Sequence, residues 1–178
     1  PEWRDDPRGA IRLRELLSMS AGLATPRYSL NPFPADAGFR FLLAAERTPV
    51  YLRTPLVRTP GTTFEYNDLN AALTGLIVQR ATGEPYARFL DRSLWRPMGG
   101  EPASVWLDNA GPGAVAMTAC CLLARPLDWV RLGLLMKDRG LVRGVPVIPA
   151  AWVDAMTTPS PGYAGYGYFT WLGAGVQA

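Results

Sequence analysis

Apolar residues recur at helical spacing along most of the chain, and the turn residues between them mark where each helix starts and stops. Leu69, Ala72, Leu73, Leu76 and Ile77 fall at i, i+3, i+4, i+7 and i+8, with Asn67 or Asp68 placed to cap the start and Gly83 to end it. Ile11, Leu13, Leu16 and Leu17, interleaved with Arg12, Arg14 and Glu15, predict a short amphipathic helix that ends near Gly22. Residues 24 to 34 read as loop. Phe39, Leu42 and Leu43 share a face of another helix, after which Pro49, Pro55 and Pro60 predict an extended or turning path that delivers Tyr66 to an element junction. A helix from about Pro85 is expected to bury Tyr86, Phe89, Leu90 and Leu94 and to end at Pro97 and the Gly99-Gly100 turn. A further helix from about Pro126 would turn Leu127, Val130, Leu134 and Leu135 inward and Asp128, Arg131 and Lys137 outward, stopping at Gly140. Val145 to Ile148 reads as a short extended segment, and Pro149 opens a helix carrying Trp152, Val153 and Met156. Tyr166 to Leu172 has the aromatic enrichment of a strand, with no later strand to pair with it.

Composition narrows the chemistry more than the class. The 178 residues, 48% hydrophobic and 19% charged, fit one ordinary globular domain or a large piece of one, and exclude disorder, collagen and coiled coil. Histidine is absent, which removes Ser-His-Asp and Cys-His hydrolases and His-bearing zinc sites. Lysine occurs once, at Lys137; the other basic residues are arginines, scattered singly among acids, so the footprint of a nucleic-acid binder is missing. The longest apolar stretches, such as residues 71–78, are too short to span a bilayer. Cys120 and Cys121 are adjacent, a spacing that resists relaxed disulfide geometry, so they are expected to be two small semi-buried thiols.

Three ordered segments carry more specific information. They are Leu16-Leu17-Ser18-Met19-Ser20-Ala21-Gly22-Leu23, then Pro60-Gly61-Thr62-Thr63-Phe64-Glu65-Tyr66-Asn67-Asp68 leading to Ala81-Thr82-Gly83. The third runs from Leu94-Trp95-Arg96-Pro97-Met98-Gly99 through Asp128-Trp129-Val130-Arg131-Leu132-Gly133-Leu134-Leu135 to Ile148-Pro149-Ala150-Ala151-Trp152-Val153. Together they resemble the serine beta-lactamase-related family, which includes class C beta-lactamases, D-alanyl-D-alanine carboxypeptidases, esterases and 6-aminohexanoate-dimer hydrolases. Glu101 to Asp108 is most similar to the last of these.

The resemblance implies an α/β fold of the beta-lactamase and penicillin-binding-protein type. It also implies a serine nucleophile activated by a lysine three residues later, a tyrosine completing the proton relay, and a Lys-Thr-Gly-like strand beside the pocket. A serine hydroxyl is a weak nucleophile and needs such a base; an acyl-enzyme follows, its oxyanion held by backbone N–H groups. The implied substrates are small amides, esters or beta-lactams, and no cofactor or metal is called for. Tyr66 matches the tyrosine of the family's Tyr-x-Asn motif and is the candidate catalytic residue. Asn67 and Asp68 are candidate substrate contacts, Asp68 standing where an amide or serine is more usual. Taken alone, Tyr66 would read as an anchor between an extended segment and the next helix, and Asn67 and Asp68 as helix caps. Trp106, Trp152 and Trp171 read as core or pocket wall.

No Ser-x-x-Lys exists in the chain, because the residue three before Lys137 is Leu134; Ser93-x-x-Arg96 has the spacing, but a guanidinium cannot accept the proton. Nor is there a Lys-Thr-Gly. Both segments would lie beyond the ends of the sequence, so residues 1–178 are expected to form an interior section of a longer domain, mostly its helical lobe with a few short strands, inactive by itself. Cys120-Cys121 occupies the place of a usual Gly-Gly pair and Arg125 that of Ser or Thr. The Cys120-Cys121 and Asp68 departures are the mark of the alternative, a non-catalytic ligand-binding or interaction module on the same fold.

Overall fold

The computed structural model describes residues 2–26 and 37–173. Residues 27–34 of the expected loop lie outside the described residues. A 3-10 turn over Pro7–Ala10 precedes α1 (Leu13–Leu17), α2 (Ala37–Leu43), α3 (Arg47–Arg53), α4 (Asp68–Thr82) and α5 (Tyr86–Leu90). A π-helical turn, Asp91–Trp95, continues α5. Then follow β1 (Ser104–Val105), β2 (Leu122–Leu123), α6 (Pro126–Lys137), β3 (Leu141–Val142), β4 (Val145–Pro146) and α7 (Ala150–Thr157). β1 pairs antiparallel with β2, Val105 opposite Leu122, and β3 with β4, Val142 opposite Val145. The second pair is a hairpin whose two-residue turn, Arg143 and Gly144, takes positive φ at both positions, the geometry that matches strand twist. This is mostly a helical lobe with short strands, as the sequence predicts.

α4 is the central element and forms where its pattern places it. Asn67 is the N-cap, its side-chain oxygen accepting the Leu69 N–H, and Gly83 is the left-handed C-cap, its N–H returning to the Gln79 carbonyl at 3.1 Å. α4 packs on α1, α3 and α5. Leu69, Ala72, Leu73 and Leu76 join Leu16, Leu23, Phe41, Tyr51, Val115 and Met117 in the main core. Each fully buried leucine there contributes about 1.5–3 kcal/mol of transfer free energy. A smaller core gathers Trp95, Met98 and Leu135.

Several expectations are corrected: α5 leaves Tyr86, Phe89 and Leu90 only half-buried, and Leu43, Ile77, Trp106 and Trp152 are exposed. Pro49 does not extend the chain; it sits third in α3, in the first helical turn, where its missing N–H has no intrahelical acceptor to lose. On α6 the polarity is partly inverted: Leu135 is buried, but Leu127, Val130 and Leu134 are exposed and Asp128 is fully buried. One Asp128 oxygen accepts from the Arg131 guanidinium and the Glu101 N–H, so a carboxylate rather than an apolar side chain fills that inward position. Lys137 is exposed, as expected, with its ammonium 3.5 Å from Asp138. Residues 166–172 do not run out as a strand. They fold back on themselves in a Tyr166–Trp171 bridge, with the Gly167 N–H bonded to the Thr170 carbonyl at 2.8 Å and Phe169 at positive φ. Finally, Cys120 and Cys121 are joined in a disulfide, with Cys121 at φ +73°. The geometry that argued against the bond is met by placing Cys121 in the left-handed region.

Candidate functional site

Tyr66 is the last residue before the Asn67 cap, so the start of α4 fixes its backbone. The strand-like approach to it is tied down by the Glu65 N–H on the Met19 carbonyl and the Gly61 N–H on the Ser20 carbonyl, both at 2.8 Å. The Ser20–Leu23 turn lies beneath. Gly22 has φ +74° and its carbonyl receives the N–H groups of Val57 and Arg58; a Cβ there would stand 2.3 Å from the Arg58 carbonyl oxygen, so only glycine permits this approach. Glu65 is held by the Thr25 hydroxyl on one carboxylate oxygen and by the Arg58 guanidinium on the other.

The Tyr66 ring is half exposed, at 50%. It lies 5.4 Å from the Trp171 ring and edge-on to Tyr166 at 6.1 Å. Tyr166 also meets Trp171 edge-on at 4.9 Å, and Phe64 and Tyr163 complete the wall, their rings 4.8 Å apart. The C-terminal segment reaches this place because the Phe169 N–H bonds the Leu17 carbonyl at 2.9 Å and the Tyr168 N–H bonds the Met156 carbonyl. Edge-on packing of this kind suits the ring quadrupoles. Tyr166 is buried, and burial first, then the neighbouring Tyr66, pushes its phenol above the ordinary value, so it stays neutral at physiological pH.

The two residues after Tyr66 are placed differently. Asn67 is 2% exposed, and besides capping α4 through its oxygen its amide nitrogen donates to the Leu23 carbonyl at 3.1 Å. Its side chain therefore ties the helix start to the Ser20–Leu23 turn. Asp68 is the first residue of α4 and half-buried. Trp171 belongs to the wall, while Trp106 stacks under the buried Arg47 guanidinium at 4.9 Å and Trp152 faces Tyr168 at 6.0 Å. Phe64 and Tyr166 stand in stretches that read as motif and as strand, and Tyr163 carries no local signal, so none of the three is marked as a site residue by sequence. Their signal, three aromatics flanking the Tyr66 motif and the 163–171 segment, is compositional and acquires meaning only when the chain folds back.

A half-exposed phenol on an apolar wall can pass a proton between groups brought against it while the wall excludes water from one side. Among the described residues no group of three or more His, Cys, Asp or Glu side chains could hold a metal ion, and no helix is long and apolar enough to cross a membrane.

Comparisons agree with this architecture. An Escherichia coli (strain K12) protein named as a D-alanyl-D-alanine carboxypeptidase is 34% identical over 107 residues, 56% of this chain and 24% of that protein. The 6-aminohexanoate-dimer hydrolase of Paenarthrobacter ureafaciens is 28% identical over 134 residues, 74% of this chain and 33% of that protein. The chain thus spans about a quarter to a third of the length of these curated relatives. A penicillin binding protein from Bacillus halodurans superposes with a TM-score of 0.69 at 15% identity, over 96% of this chain and 60% of that one, which establishes the fold. The sequence model of the Beta-lactamase family matches residues 1–172, and the chain belongs to that family.

Proposed function

We propose that this chain supplies the tyrosine side of the active site of a serine hydrolase that cleaves amide or ester bonds through an acyl-serine intermediate. The observation that carries the reading is the position of Tyr66: half exposed at the start of α4, in the motif that resembles Tyr-x-Asn, against an aromatic wall. In this reading the serine and its lysine come from sequence outside residues 1–178, which form the interior section of a longer domain. The serine hydroxyl gives up its proton to the lysine and phenol pair as its oxygen attacks the carbonyl carbon. The phenol then returns the proton to the departing amine or alcohol, and water hydrolyses the acyl-serine by the reverse route. Asn67 positions Tyr66 through its two backbone hydrogen bonds, and Asp68 is the residue proposed to meet substrate. The substrates are small amides, esters or beta-lactams, and the aromatic wall favours those with an apolar group beside the scissile bond.

The test compares the 178-residue chain with the longer reading frame that contains it, using a chromogenic cephalosporin and a short-chain p-nitrophenyl ester. The longer protein should turn over at least one of them, and its Tyr66→Phe variant should lose ~10²–10⁴-fold in kcat, the usual worth of a positioned acid-base group. The 178-residue chain should be inactive. Turnover by that chain alone, or an undiminished Tyr66→Phe variant, would overturn the reading. A longer protein that binds such ligands without turning them over would instead support a non-catalytic module, for which the Cys120–Cys121 disulfide, where the resemblance implies a Gly-Gly pair, is the favouring observation.

A further inference from the structure

The segment from Met117 to Leu122 is fixed at both ends. Met117 is buried and its N–H bonds the Trp106 carbonyl at 2.8 Å, the Thr118 hydroxyl bonds the Ala71 carbonyl of α4 at 2.8 Å, and Leu122 enters the pairing with Val105. Between these anchors lies the Cys120–Cys121 disulfide, an eight-membered ring that encloses one peptide bond. Cys120 is exposed, whereas Cys121 is half-buried and packs against the main core. Cys121 has φ +73°, a conformation that side chains with a Cβ disfavour. A cavity of about 400 Å³ adjoins on the Trp95 side, and a second, of about 350 Å³, is lined by Tyr86, Met117, Cys120, Cys121, Leu122 and Trp129. The ring therefore holds the floor of a cavity in a backbone state that it would leave if the bond opened.

We propose that Cys120–Cys121 is a thiol-exchange site, and that its reduction by a small thiol releases the 118–122 segment and remodels the cavity beside Trp129. The thiolate of the small thiol attacks the sulfur of Cys120, the exposed residue of the pair. The disulfide bond breaks, its electron pair leaves on the Cys121 sulfur, and that thiolate takes a proton from water. A second thiol attacks the mixed disulfide at the sulfur of the small thiol and releases Cys120 as a thiolate, which is protonated in turn. The protein gains two electrons and two protons, and the small thiol leaves as its disulfide. Once open, Cys121 loses the ring that kept it at positive φ, and the segment relaxes toward the ordinary regions while Thr118 and Leu122 remain as its hinges. This reading is independent of whether the longer protein is a hydrolase.

The experiment uses the 178-residue chain purified without reductant and treated with glutathione or dithiothreitol. Alkylation under denaturing conditions should add nothing before treatment and two groups after it. Hydrogen exchange at residues 118–123 should then accelerate by roughly tenfold, the loss expected when one left-handed residue is freed, with the α4 amides unchanged. A Cys120→Gly/Cys121→Gly variant, which can keep positive φ without a ring, should exchange at one rate with or without reductant. A Cys120→Ala/Cys121→Ala variant should exchange like the reduced one. Two alkylatable thiols in the air-exposed protein would overturn the proposal. So would exchange that does not change on reduction, or acceleration spread across the whole chain.

Discussion

Asn67→Ala separates a structural from a substrate-contact role for the residue beside Tyr66. The substitution removes two interactions at once in a site that is 2% exposed. Loss of the cap on the Leu69 N–H costs about 0.5–2 kcal/mol. Loss of the donor to the Leu23 carbonyl leaves a buried acceptor unpaired, at about 1–3 kcal/mol. Together these give about 2–4 kcal/mol, since some water reaches the vacated space. At about 2–4 °C per kcal/mol for a chain of this size, Tm should fall by roughly 5–15 °C. Asn67→Ser retains an oxygen for the cap and should lose only the second part. Asn67→Asp is nearly isosteric but should cost as much as serine or more, because its second oxygen would face the Leu23 carbonyl oxygen across the distance the amide now bridges. Guanidinium unfolding, with the m-value checked for constancy, measures the series. An Asn67→Ala cost below about 0.5 kcal/mol would refute the reasoning, and Asn67 would then belong to the pocket rather than to the fold.

Gly75→Ala places a Cβ 2.3 Å from the Thr118 hydroxyl oxygen and 2.4 Å from its methyl carbon. Overpacking of about 1–3 kcal/mol should outweigh the ~1 kcal/mol helix gain, and Thr118→Ala, which removes both atoms, should recover part of the loss in a double-mutant cycle. Gly22→Ala should be worse, because the obstacle is the Arg58 backbone and φ is +74°; thermal unfolding of the two variants should rank them in that order. In acid, Asp6 is the group to watch. The Arg8 side chain, and then the Arg8 backbone N–H, lower its carboxyl from an ordinary 3.8 to about 2. Its folded value lies below its unfolded one, so its contribution is present above about pH 4 and is lost as pH falls toward 2; Asp6→Asn should flatten stability over that window in an acid titration followed by circular dichroism.

Local periodicity was enough where one helix carries its own caps and its own apolar face. α4 starts at the predicted cap, ends at the predicted glycine and buries four of the five residues of the predicted face, Ile77 alone of them being exposed, because Asn67, Gly83 and the leucines between them are all within one element. α6 has an equally regular pattern, yet three of its four expected inward residues are exposed. What decides its facing is the Glu101 N–H, 27 residues upstream, which finds a carboxylate at Asp128; no period within 126–137 carries that information. Pro49 misled for a similar reason. Proline forbids a helix interior but not a first turn, and whether a turn begins at Arg47 depends on the Asp108 carboxylate that accepts the Arg47 N–H from 61 residues away.

The candidate site divides along the same line. Tyr66, Asn67 and Asp68 are contiguous, so their placement at a helix start was legible from spacing and from the family-like motif. The wall around Tyr66 was not, since Tyr166 and Trp171 arrive from 100 or more residues later, through hydrogen bonds from Tyr168 and Phe169 to Met156 and Leu17. Their alternation of aromatic and glycine residues mimics a strand, and the turn at Gly167 to Thr170 reverses the chain instead. The physical consequence is that the phenol and its environment are held by different parts of the fold. α4 and the Leu23 carbonyl fix where Tyr66 stands; the C-terminal segment, anchored on Leu17, determines how much of its ring water can reach. Substitutions that loosen the Phe169 to Leu17 contact should therefore change the exposure of Tyr66 without moving the start of α4, whereas substitutions at Asn67 should disturb both.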